Sequence, residues 1–156
     1  MPLHSSVSPF GHAQGKQDAN GNWTVVGSNA VALKLPIAHD TADGAALYTV
    51  PEDARLLIEQ AFWEVTTPFT GGASSAIGLS SSAAPHDTKG DLLGGASGDV
   101  AAALTAGVAE GTPGASFSGA PGIVLLEAGA TIRLDRVTSA FTAGAGFAHV
   151  IGRFIS

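Results

Sequence analysis

Two pairs of carboxylates and one histidine are the residues of this chain best suited to acid–base chemistry. Glu59 and Glu64 form one pair, Asp87 and Asp91 the other, and His149 lies in an apolar closing stretch. A glycosidase needs two carboxylates flanking one bond. Glu59 and Glu64 have opposite parity along a strand, so they share a side only if a bulge falls between them. The segment His86-Asp-Thr-Lys-Gly-Asp91 offers oxygen ligands without the register of a calcium loop, and it reads as a solvated turn. The histidines His4, His12, His39, His86 and His149 never pair at a spacing that puts two ligands on one metal. Gly114-Ala-Ser-Phe-Ser118 misses the nucleophile elbow because its last residue is Ser. Gly144-Ala-Gly146 begins like a dinucleotide fingerprint, but His149 stands where the last Gly belongs. No Lys follows a Gly-rich turn at phosphate-loop spacing. The expectation is a protein without catalytic residues, metal or cofactor, and therefore not an enzyme. His149 reads as a satisfied or interface histidine, and near a symmetry axis it would cluster with its copies. Phe62, Trp63 and Phe69 read either as a sugar-stacking platform or as core and subunit interface.

Composition narrows the class. Gly makes up 21 of 156 residues and charged residues only 13%, about half the usual share. A solvent-facing helical bundle needs more Lys and Glu than this on its outer faces. The net charge is −6, and the seven Lys and Arg never cluster, so no nucleic-acid partner is expected. The opening Met1-Pro-Leu-His-Ser-Ser has neither a basic nor a long apolar region, so no secretory leader is expected. The apolar run Val100 to Ala109 is too short to span a bilayer, and no membrane partner is expected. There is no cysteine.

The elements that must position these residues are strands. Val31, Leu33, Leu35 and Ile37 alternate with Ala32, Lys34 and Pro36, which predicts a half-buried strand over Asn29 to Ile37. Pro36 places that strand at a sheet edge or leaving the sheet. Further strands are expected at Trp23 to Val26, Ala46 to Val50, Arg55 to Thr67, Ala76 to Ser81, Ile123 to Leu126, Thr131 to Val137 and Gly146 to Ile155. Within Arg55 to Thr67, Leu56 and Ile58 share one parity while Trp63 and Val65 share the other. That change predicts a β-bulge near Gln60 to Phe62, or a strand covered on both faces. A helical turn is expected over Asp99 to Ala106. An echo relates Val65–Ala76 to Val137–Ala148 at an offset of 72, with seven identities in twelve positions, Phe69 matching Phe141. The two copies read as equivalent strand–loop units of one fold. Residues 1–22 carry Pro2, Pro9 and several Gly; they read as a flexible N-terminal tail, or as an arm lying on a neighbouring subunit with Phe10 as its anchor. Residues 23–156 form one domain. The class is all-β, a β-sandwich or jelly roll with Gly-rich loops and at most one short helix.

The segment TVPEDARLLIEQAFWEVTTPFTGG, followed later by LLEAGATIRLDRVTSAFTAGAGFAHVIGRF, resembles small structural proteins of tailed bacteriophages and prophages. The shared features are a strand opening after a Val-Pro turn, a Val-Thr-Thr-x-Phe-x-Gly-Gly loop, and a late Ala-Gly-x-x-Ile-Arg-Leu strand before a Gly-rich hairpin. The likeness covers roughly Leu47 to Ile155. It implies a virion component, such as a head decoration or cement protein. Such a protein is made in the host cytoplasm, bound to the major capsid protein on the capsid exterior and often a homotrimer. Residues expected to meet partners are Phe10, Trp23, Trp63, Phe69, Phe141 and His149. The alternative is a carbohydrate- or receptor-binding module of a phage tail or appendage.

Overall fold

The computed structural model describes residues 29–71, 76–94, 116–117, 123–136 and 141–155 with their side chains. It also describes the backbone of residues 15–17, 23–25, 107–109, 112–113, 115 and 137. The strands are β1 (Gly15–Gln17), β2 (Trp23–Val25), β3 (Ala30–Ala38), β4 (Ala45–Thr49), β5 (Arg55–Thr70), β6 (Ala76–Ser81), β7 (Leu93–Gly94), β8 (Gly107–Ala109), β9 (Thr112–Pro113), β10 (Val124–Leu126), β11 (Thr131–Val137) and β12 (Ala143–Ile155). A single 3₁₀ turn covers Ala115–Phe117. The helical turn expected over Asp99 to Ala106 lies outside the described residues.

Two antiparallel sheets pack face to face, as an all-β sandwich requires. Sheet 1 has the order β10-β5-β12-β3, with β8 sharing the edge of β5 that β10 occupies. Sheet 2 has the order β4-β11-β6-β7-β9. Between them lies the core, in which Leu56, Ile58, Trp63, Leu79, Ile132 and Leu134 are fully buried. Each of the eight strands expected from the sequence is present within a few residues of its expected ends. Among the described residues Pro36 is on an edge strand, since β3 pairs there only with β12. Gly15–Gln17 departs from the expected loose N-terminal segment. It pairs with Trp23–Val25 as a two-stranded hairpin separate from both sheets.

The register between β5 and β12 explains the parity change in β5. Ile151 pairs with Gln60 but Gly152 pairs with Ile58, so Glu59 is an extra residue on β5. Two more slips follow, between Gly146 and Ala145 and between Ala145 and Ala143. Each slip adds one residue to β5, which is why its 16 residues run beside the 13 of β12. Opposite these slips β12 carries Gly152, Gly146 and Gly144. A Cβ on Gly152 would stand 1.9 Å from the Leu57 carbonyl oxygen, and one on Gly146 would stand 2.1 Å from that of Glu64. The bulged strand therefore presses into spaces that only glycine leaves open.

The 72-residue echo has a spatial meaning. At the corner where β5 leaves sheet 1 and β12 enters it, the two copies touch at equivalent residues. Phe69 and Phe141 meet edge to face, with centroids 5.3 Å apart. The Thr142 N–H and hydroxyl both donate to the Thr70 carbonyl, at 2.8 and 3.1 Å. Each copy carries the chain from one sheet to the other.

Candidate functional site

Alternation along β12 sorts its side chains by bulk in an unusual way. Gly144, Gly146, Ala148, Val150 and Gly152 are buried and face the core, while Phe147, His149, Ile151 and Arg153 face outward. Directly paired residues point to the same side of a sheet. His149 is paired with Lys34 on β3 and Phe62 on β5, and Phe147 with Pro36 and Glu64. The outer face of sheet 1 thus gathers Lys34, Phe62, Glu64, Phe147 and His149 from its three longest strands.

Glu64 is the hub of this cluster. Its Oε2 lies 2.6 Å from His149 Nε2 and 3.1 Å from Lys34 Nζ. The His149 hydrogen bond, and after it the Lys34 one, hold the Glu64 carboxyl below its ordinary value. An ionised carboxylate only accepts hydrogen bonds, so His149 Nε2 carries the hydrogen. The His149 ring stacks on Phe62 at 4.7 Å with the planes 5° apart, and Lys34 Nζ stands 4.2 Å from the centre of the Phe147 ring. One step along the same face, Arg153 Nη2 donates to Glu59 Oε1 at 2.6 Å. The bulge does bring Glu59 and Glu64 to one side. Both are held in ion pairs, and a carboxyl shifted downward, as Glu64 is, makes a poor general acid.

Among the described residues β12 is the strand that pairs with β3, and the Pro36–Ala38 end of the opposite edge is poorly suited to pairing. Phe154 N–H donates to the Asn29 carbonyl and His39 N–H to that of Gly144, so odd-numbered residues of β3 face β12 and even-numbered ones face outward. Of those, Pro36 has no N–H, and Ala38 gives its N–H to Thr41 Oγ1 and its carbonyl to Thr41 N–H.

A second polar cluster locks the segment 82–94 onto sheet 2. Asp135 is buried and accepts from the Ser80 hydroxyl (2.8 Å) and the Gly90 N–H (3.0 Å). Burial pushes its carboxyl above the ordinary value, against the pull of those two bonds and of Arg133. Asp91, expected in a solvated turn, is buried and accepts from the Thr88 N–H at 2.8 Å. His86 Nδ1 lies 2.7 Å from Ser116 Oγ, while the Ser116 N–H donates to the Asp91 carbonyl. The pairing brings Ser116 to a base, but among the described residues no acid orients the imidazole. The arrangement is that of a loop clamp.

Asp135 fixes one pH dependence by sign. Its folded value lies above the unfolded one, so its contribution is complete at low pH and is lost as pH rises through the folded value. Asp43, held down first by Lys89 and then by the Arg136 N–H, and Glu64 act in the opposite direction: their contributions are lost as pH falls. Asp135→Asn removes the titration. The stability of wild type relative to this variant, read from urea midpoints, is expected to be higher near about pH 4 than near about pH 7. An unchanged difference would show that Asp135 is not desolvated.

The residues expected at partner contacts are scattered by the fold. Trp63 is fully buried, and among the described residues its Nε1 has no hydrogen-bond partner. Phe69 and Phe141 are buried at the corner between the sheets. These three serve the core, because the slip at Glu59 turns Trp63 inward and the corner encloses the two Phe rings. Trp23 opens β2, opposite Gln17. Phe10 lies outside the described residues. His149 alone of the six is described on an outer face, and its neighbours Lys34, Glu64 and Phe147 are additions that sequence reading did not single out for partner contact. Among the described residues no group of His, Cys, Asp and Glu could hold a metal ion, and no helix is long and apolar enough to cross a membrane. No family model, no curated protein and no solved structure matches the chain.

Proposed function

We propose that the chain is a structural virion protein without catalytic activity. In this reading it is a capsid decoration or cement protein that binds the major capsid protein on the head exterior as a homo-oligomer, with a trimer as the state the resemblance implies. The mechanism is added buried interface between neighbouring capsomers. The observation that carries it is the bulk of β12, whose side chains Phe147, His149 and Ile151 face away from the core while Gly144, Gly146, Ala148, Val150 and Gly152 face inward. Outward bulk on a central strand makes cross-strand contacts within the chain, and a protein that works by covering a neighbour can use the same bulk at a contact. The sequence words that carry the phage resemblance supply β5, β11 and β12, the strands that organise both sheets. Lys34, Lys89 and Arg153 are each paired with a carboxylate, which fits a partner other than nucleic acid.

The sugar-binding alternative needs open ring faces. Trp63 and Phe69 are buried, and one face of Phe62 is taken by His149. The test is co-sedimentation of the purified full-length chain with heads assembled from the major capsid protein of the same virus. Saturable binding that raises the temperature at which the heads open is the expected result. No binding to heads, together with binding on a glycan array, would replace this reading with the alternative.

A further inference from the structure

The outer face of sheet 1 differs in charge from the rest of the molecule. It holds Lys34, Arg55 and Arg153 against Glu59 and Glu64. The other described charges are Lys89, Arg133 and Arg136 against eight acids, Asp40, Asp43, Glu52, Asp53, Asp87, Asp91, Glu127 and Asp135. A balanced face on a chain of net charge −6 is the described surface on which two copies could meet without bringing acid against acid. The face is also uneven in relief. Its β5 and β12 side carries Phe62, Glu64, Phe147 and Ile151, and its β3 side carries exposed Ala32, Lys34 and Pro36.

We infer that this face is covered by a second copy of this chain. The bulky half of one copy, where Glu59 and Glu64 stand with Arg55 and Arg153, packs on the low β3 half of the next, where Lys34 stands. Glu64 of each copy then faces Lys34 of its neighbour as well as its own. Within one chain the Lys34–Glu64 pair is exposed and contributes little. A neighbour that excludes water from the pair makes it fix the register of the contact. The small side chains of β3 let the Phe147–Ile151 ridge of the neighbour approach the sheet. The inference rests on the self-association part of the function proposed above, and not on attachment to a shell.

The test is the native mass of the full-length chain, wild type and three variants, by native mass spectrometry and light scattering. Wild type is expected as a multiple of the 15.5 kDa chain. Ala32→Arg puts a long side chain where the neighbour's Phe147–Ile151 ridge must approach, at a position exposed in the single chain, so it is expected to weaken association by about a hundredfold and give a single chain with an unchanged circular dichroism spectrum. Lys34→Glu, which sets like charges against Glu64, is expected to act in the same direction. Ala46→Arg, on exposed β4 of sheet 2, is expected to leave the mass at the wild-type value. A wild type that is a single chain overturns the inference. So does an Ala32→Arg or Lys34→Glu variant that is folded and keeps the wild-type mass. Multimers broken by Ala32→Arg but unable to bind heads would leave this contact standing and remove the shell role. Head binding by a single-chain wild type would do the reverse.

Discussion

Gly152→Ala is expected to destabilise the protein by about 1–3 kcal/mol, and Gly152→Val by about 3 kcal/mol or more, although both substitutions favour an extended strand over glycine. Propensity alone gives the opposite sign, since removing glycine from a strand interior gains about 0.5–1 kcal/mol. Contact decides the sign here. The Cβ of any other residue would stand 1.9 Å from the Leu57 oxygen and 2.9 Å from its carbonyl carbon, and both are backbone atoms that cannot rotate away. Relief requires β5 to move off β12, which undoes the slip at Glu59. Without that slip the residues after it would turn over, carrying Trp63 and Val65 out of the core and Phe62 and Glu64 into it. The cost therefore includes the registration of half a sheet as well as a local clash. Urea midpoints of wild type and the two variants measure it. A Gly152→Ala variant as stable as wild type would mean that the strands separate easily at this point, and that the glycines do not set the register.

The strands long enough to show a period were legible in the sequence. Val31 to Ile37 and Ile132 to Leu134 alternate cleanly, and each buries the side that alternation indicates. Strands β7, β8 and β9, of two or three residues, have no period to read and are held by their partners. The parity change in β5 announced a bulge, and one is present at Glu59. Its consequence for single residues depended on the position of the slip, because a displacement of one residue exchanges Trp63 and Phe62 between the core and the outer face. The Ile123 to Leu126 run, four apolar residues in a row, shows no alternation from which a buried side could be read. The structure buries Val124 and Leu126 and leaves Ile123 exposed, because only one face of β10 meets the core. The cluster around His149 was hidden for another reason. Glu64 is 85 residues from His149 and 30 from Lys34, and only the order β5-β12-β3 brings them together. No local pattern encodes that order.

Trp63→Ala is expected to lower the free energy of unfolding by about 3–5 kcal/mol, and Phe62→Ala by about 1 kcal/mol. The two aromatic residues are adjacent in sequence, so the contrast tests the assignment of faces with little else changed. Trp63 is fully buried, and truncation leaves a cavity that the surrounding strands cannot close without breaking their ladders. Among the described residues its indole N–H has no partner. Phe62 is half-buried and loses chiefly its stack on His149. Urea or thermal unfolding measures both. Comparable losses would place both rings in the core and leave the outer face of sheet 1 without its aromatic centre. A large loss at Trp63 alone keeps Phe62 available to a neighbour. Phe62→Ala should then weaken association between copies more than it weakens the fold of each, which is the balance expected of a side chain that a partner finishes burying.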